Sequence, residues 1–176
     1  MHHQIKILIV GLLLIVQPSF AQSNDSSNSL YIGIGSADDS NPLESDDTPW
    51  AVGWVHHLQN SNASWGLEIA GEGTMLDSTY DNNDAIKQAL SFNIIGATNL
   101  TRAPDWRVDL GLLAGFRQTA ADCPDSYLGY QCYADEPPDT DYSFNFGGVL
   151  YIGYKSLSIG FRATGESNMV TLGLNF

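Results

Sequence analysis

The sequence runs to 176 residues, the length of one domain, and carries 7 basic against 20 acidic side chains for a formal charge of −13. That balance excludes nucleic-acid binding built on phosphate neutralisation. It also works against general electrostatic attachment to anionic lipid.

Residues 1–21 read MHHQIKILIVGLLLIVQPSFA. Lys6 is their one formal charge, an apolar run spans Ile7 to Val16, and Ser19-Phe20-Ala21 has the small-x-small form of a signal-peptidase site. A spanning helix needs about 20 apolar residues, so the run is too short for an anchor. A signal peptide cleaved after Ala21 is expected. Its loss leaves six basic and twenty acidic side chains, a charge of −14. Residues 22–28 (QSNDSSN) then form a polar lead-in.

Downstream, no segment is long and apolar enough to span as a helix. The chain breaks into short runs of period-two alternation separated by Gly, Asn, Asp, Ser and Pro. Eight strands are predicted: 29–36, 48–59, 64–75, 86–99, 105–117, 141–155, 157–164 and 168–176. In 105–117 the apolar face is Trp106, Val108, Leu110, Leu112, Ala114 and Phe116, opposed by Arg107, Asp109, Gly111, Gly115 and Arg117. In 141–155 it is Tyr142, Phe144, Phe146, Leu150, Ile152 and Tyr154, opposed by Ser143, Asn145, Gly147, Tyr151 and Lys155. In 157–164, Leu157, Ile159, Phe161 and Ala163 oppose Ser158, Gly160, Arg162 and Thr164. In 168–176, Val170, Leu172, Leu174 and Phe176 oppose Met169, Thr171, Gly173 and Asn175.

A soluble lipocalin-like barrel or a sandwich alternates too, with its apolar face inward. Three features favour the reverse. The polar face is rich in Gly, Ser, Thr and Asn, as a narrow lumen requires, and lacks the dense Lys and Glu of a solvated exterior. The strand charges Glu68, Glu72, Lys87, Arg107, Asp109, Arg117, Lys155 and Arg162 all fall on that polar face. Aromatics on the apolar face gather near strand ends, with Trp65, Trp106, Tyr154 and Phe176 toward one rim and Trp50, Phe116 and Tyr142 toward the other. Two such girdles belong at two membrane–water interfaces. Trp54 falls in mid-strand and outside this rule.

Connections alternate long (37–47, 76–85, 118–140) and short (60–63, 100–104, around 156), except that 165–167 is also short. Outer-membrane barrels pair long extracellular loops with short periplasmic turns. The expected fold is all-β: a closed, antiparallel, eight-stranded transmembrane barrel over residues 29–176. The lumen charges should pair, and a network of Glu68, Glu72, Arg107, Asp109 and Arg162 is expected to plug it.

Cys123 and Cys132 share the polar stretch DCPDSYLGYQCYADEPPD, and in an exported chain they read as a disulfide. The short ring would add about 2.5–3 kcal/mol on the chain-entropy view. A metal site is the weaker reading, since no His lies nearby. The acidic loops lack the spacing of a calcium loop, so their charge reads as solvation. No cofactor is expected.

The signal peptide, the eight alternating strands and the terminal MVTLGLNF resemble the small outer-membrane β-barrel proteins of Gram-negative bacteria, the OmpA-like and OmpX-like transmembrane barrels. That resemblance implies residence in the outer membrane, contact with its lipid and lipopolysaccharide, and recognition of Val170, Leu172, Leu174 and Phe176 by the barrel-assembly machinery. With Phe176 last in the sequence, no periplasmic peptidoglycan-binding domain is expected. Some barrels of this class hydrolyse or transfer lipid A acyl chains and need a nucleophile–base pair at the outer rim. After the signal peptide the chain has His56 and His57 alone, late in a strand running toward the periplasm. His57 is expected to point inward and His56 toward interfacial lipid. The expected role is therefore non-catalytic, structural or surface-binding through acidic loops, with a small porin or a lipid A-modifying enzyme as alternatives. No residue names an extracellular ligand.

Overall fold

The structure, a computed structural model, describes residues 27–37, 47–77, 84–103, 105–122 and 139–176. The expected signal peptide, most of the expected lead-in, and the segments 38–46, 78–83 and 123–138 lie outside it, and so do Cys123 and Cys132 with their expected disulfide.

Eight strands form in chain order: β1 (Asn28–Ala37), β2 (Trp50–His57), β3 (Ala63–Asp77), β4 (Asp84–Arg102), β5 (Trp106–Asp122), β6 (Asp139–Tyr154), β7 (Leu157–Thr164) and β8 (Ser167–Asn175). Each pairs antiparallel with its sequence neighbour, and β1 pairs β8 from Ser29↔Asn175 to Ala37↔Ser167, closing the barrel. The seam is tied at its end by Asn28 and Phe176, whose backbones exchange hydrogen bonds of 2.9 and 2.8 Å. Closure leaves no unpaired sheet edge around the shared height of the wall.

One end carries the short connections after β2, β4 and β6 together with the start of β1 and the end of β8; it is called the turn end. The other, the loop end, carries the connections after β1, β3, β5 and β7. At the turn end, Lys155 and Ser156 alone join β6 to β7, because Tyr154 pairs directly with Leu157. Lys155 has φ 52°. The residue expected inside the barrel is therefore on the outside of a tight turn. Alternation stops one residue before it, since a two-residue hairpin turn consumes both central positions.

The loop-end rim is stepped. β3 to β6 have 15, 19, 17 and 16 residues, against 10, 8, 8 and 9 for β1, β2, β7 and β8. β7 matches its predicted bounds, whereas β5 runs past residue 117 through QTAAD, whose pairing with β6 continues without hydrophobic alternation. In β3, Glu72 and Gly73 together oppose the single residue between Gln88 and Leu90, and Gly73 takes φ 67°. This bulge reverses which residues face inward. Met75 is thus buried beside Ala89. Beyond it, β3 also meets β5 in parallel at Leu76↔Ala120 and Asp77↔Ala121, so the raised sheet curls.

Candidate functional site

The barrel interior holds the polar chemistry in two layers with an apolar layer between them. In the upper layer, toward the loop end, Arg162 of β7 reaches across to β3. Its Nε donates to Glu68 Oε1 at 2.9 Å and Oε2 at 3.0 Å, and Nη2 and Nη1 donate to the two oxygens of Glu72 at 2.5 and 2.8 Å. All three side chains are fully shielded from solvent. Two carboxylates against one guanidinium leave an excess negative charge, and neutral donors surround it. Glu72 accepts from Ser91 (2.7 Å), Asn145 (2.9 Å), Thr164 (2.6 Å) and Ser167 (2.7 Å). Glu68 accepts from Tyr31 (2.6 Å) and Asn93 (2.9 Å). Satisfying every carboxylate oxygen in this way is what makes a buried ionic group tolerable.

Below it lies a buried apolar cluster that includes Val55, Ile95, Leu113 and Val149, with the rings of Tyr31 and Tyr151 5.4 Å apart. The tyrosines fit because glycines face them. A Cβ on Gly53 would fall within the Tyr31 ring, and one on Gly160 would press on Tyr151. This pairing of small with large fills a narrow tube.

The lower layer lies near the turn end. Arg107 forks onto Asp109 Oδ2, with Nε at 2.7 Å and Nη2 at 2.5 Å, and Asn99 donates to Asp109 Oδ1 at 2.9 Å. The Arg107 guanidinium also contacts His57. His57 is buried, with Ser29 Oγ 2.9 Å from Nε2 and Ser64 Oγ 2.7 Å from Nδ1. Ser29 donates its proton to Asn175 Oδ1 at 2.7 Å, so it is not oriented to give that proton to the imidazole. At the opposite mouth, Arg117 pairs with Glu166 of the β7–β8 turn at 2.8 Å. Among the described residues no group of three or more His, Cys, Asp and Glu is placed to hold a metal ion.

The outer face is apolar and exposed. Ile34 is 68% exposed, Phe144 67% and Ile94 63%, whereas Arg162 and Glu72 are 0% exposed inside. Outward aromatics cluster near both ends. Trp54, in mid-strand, meets Trp65 edge-on at 5.1 Å and stacks on His56 at 5.9 Å, while at the turn end Trp106 lies 4.7 Å from Tyr154. Trp50, Phe116, Tyr142 and Phe144 face outward toward the loop end, with Phe116 and Phe144 6.4 Å apart. On β5, Trp106 and Phe116 are ten residues apart. At about 3.3 Å per residue and a tilt of roughly 40°, this is about 25 Å of height, the thickness of an outer-membrane apolar band.

No protein-family model matches the chain, and no curated protein does. Among solved structures it is similar to the Yersinia pestis outer membrane protein Ail, whose backbone structure is known in a phospholipid bilayer nanodisc. The identity is 12% and the TM-score 0.42, over 85% of this chain and 99% of that one.

The five charges expected to form one network thus occupy two sites. Arg162, Glu68 and Glu72 meet in the upper layer, whereas Arg107 and Asp109 pair separately in the lower one. Alternation assigns a face but not a height, so it could not separate them. Lys155 joins neither; it lies over the Tyr154 ring, 5.2 Å from its centroid. Trp54 remains an exception. β2 ends at His57 and starts at Trp50, so Trp54 stays at mid-strand and outside the girdle rule, packed against Trp65. Val170, Leu172, Leu174 and Phe176 all face outward along the seam strand β8. Sequence reasoning missed Glu166, which sits in a turn. It also missed the apolar interior layer, visible in hindsight as Val55, Leu113 and Val149 interrupting the polar face.

Proposed function

We propose that this protein is an integral outer-membrane β-barrel of a Gram-negative bacterium, a non-catalytic anchor whose loops engage ligands at the cell surface. The observation that carries the reading is the inverted polarity of the wall, ionic at its centre and apolar outside. In water the outer belt would be a patch far beyond the few hundred Å² that soluble monomers expose. In lipid it is the solvated surface, and closure satisfies the backbone internally. The turn end then faces the periplasm, and the loop end, with its rim raised over β3 to β6, faces the cell surface. The outward stripe Val170, Leu172, Leu174 and Phe176 serves as the signal for the barrel-assembly machinery, and lipopolysaccharide surrounds the loop-end girdle. The filled interior favours a plugged anchor over a pore.

Cell fractionation with a heat-modifiability gel tests this. The folded protein is expected in the outer-membrane fraction, with different mobility before and after boiling. A soluble periplasmic protein with no shift overturns it.

A further inference from the structure

Three of the four described basic side chains point into the barrel and meet carboxylates: Arg107 with Asp109, Arg117 with Glu166, and Arg162 with Glu68 and Glu72. Lys155 is the fourth. It is exposed on the outside of the turn end and makes no ion pair among the described residues. We propose that Lys155, with Trp106 and Tyr154, forms a binding site for the phosphate headgroup of an anionic phospholipid in the periplasmic leaflet. The proposal rests on the outer-membrane reading above and on its orientation.

Two independent features of the backbone and the side chains support it. The first is the conformation. Lys155 is the first central residue of a two-residue hairpin turn and has φ 52°. That position ordinarily belongs to glycine. At the neighbouring turn the left-handed residue is Asn60, with φ 61°, a residue type that tolerates this region. A lysine does not, so at Lys155 the chain accepts strain to place an ammonium there, and such strain points to a role outside folding.

The second feature is the shelf beneath the charge. Trp106 and Tyr154 are cross-strand partners with ring centroids 4.7 Å apart, and both are exposed outward. Lys155 Nζ lies 5.2 Å from the Tyr154 centroid. Aromatic rings at headgroup depth with a lysine at their polar margin give the arrangement in which the stem lies on apolar surface and the ammonium meets phosphate. The turn is braced by the Lys155 N–H, which donates to the Asp105 carbonyl at 3.0 Å. Asp105 therefore contributes its backbone, and no ion pair joins its carboxylate to Lys155. In a chain whose net charge repels anionic lipid, this is a local exception.

The test uses the full mature barrel and its Lys155→Gly and Lys155→Gln variants, each refolded into bilayers containing equal phosphatidylglycerol and phosphatidylcholine. Lipids retained after extraction are counted by native mass spectrometry, and folding is followed by the gel shift. Wild type is expected to retain phosphatidylglycerol about fivefold over phosphatidylcholine, the ratio for one basic residue at an anionic surface. High salt should reduce this. Both variants should fall to parity with an unchanged gel shift, and Lys155→Gly, freed of the backbone strain, should be at least as stable as wild type. Equal preference in all three proteins, or none in wild type, overturns the proposal alone. Failure of wild type to insert into any bilayer overturns the membrane reading and this proposal with it.

Discussion

Arg162 is the residue on which the interior depends most. It joins β7 to two carboxylates of β3 that lie 94 and 90 residues away in sequence. Without it Glu68 and Glu72 face each other in a dry site with neutral donors alone. Arg162→Ala is expected to destabilise the folded barrel by about 3–5 kcal/mol, read from urea unfolding in lipid, because an uncompensated buried charge costs more than the ion pair contributes. Arg162→Lys keeps the charge but cannot fork onto both carboxylates, so it should recover part of that loss. Gly53 is the converse case, where nothing is present because something must be absent. Gly53→Val would drive a side chain into the Tyr31 ring and is expected to cost about 1–3 kcal/mol by overpacking, with a lower unfolding midpoint by the same assay.

Strands carry the membrane argument. Leu172 of β8 pairs with Ile32 of β1 and Ile159 of β7, so three adjacent strands present a continuous aliphatic band at mid-height. Placing charge there tests which solvent the band meets. Leu172→Arg is expected to destabilise the barrel in lipid by about 2–4 kcal/mol, whereas the same change at Asn168, near the loop end of the same outward face, should cost at most about 1 kcal/mol. Equal small effects at both sites would mean that the band faces water. Much of this was legible in advance. The strand count and the outward direction of Trp50, Trp65, Trp106, Phe116, Tyr142 and Tyr154 follow from period two, which is a local property of the chain. Strand ends were less legible, because β2 stops and β5 continues according to their partners and not to their own composition.

For the whole molecule, the question of chemistry turns on where the Ser–His contacts lie. Ser29 and Ser64 are both within hydrogen-bond distance of His57, yet all three sit inside the barrel near the turn end, walled from the exterior by the sheet. A lipid acyl ester at the outer leaflet has no route to them. His57→Ala is therefore expected to leave the acyl pattern of lipid A unchanged when the variant is expressed in cells and the lipid is analysed by mass spectrometry. A changed pattern would make the protein an enzyme. The same layering predicts that the deletion costs stability, since Ser29, Ser64 and Arg107 all lose a partner.

The sequence by itself determined that the chain is a set of eight two-faced strands, which face of each is apolar, and which residues ride on it, because side-chain direction in a strand depends only on parity. Tertiary structure decided how high each residue sits. Height follows from register accumulated strand by strand around a closed wall, with a bulge at Gly73 that resets parity in β3. That is why one expected charge network became two layers separated by Val55, Ile95 and Val149, and why Glu166 found Arg117 at the loop-end mouth. Lys155, read from alternation as a lumen charge, stands outside on an aromatic shelf at the turn end because the two-residue turn closed by the Tyr154–Leu157 pair ends the alternation before it.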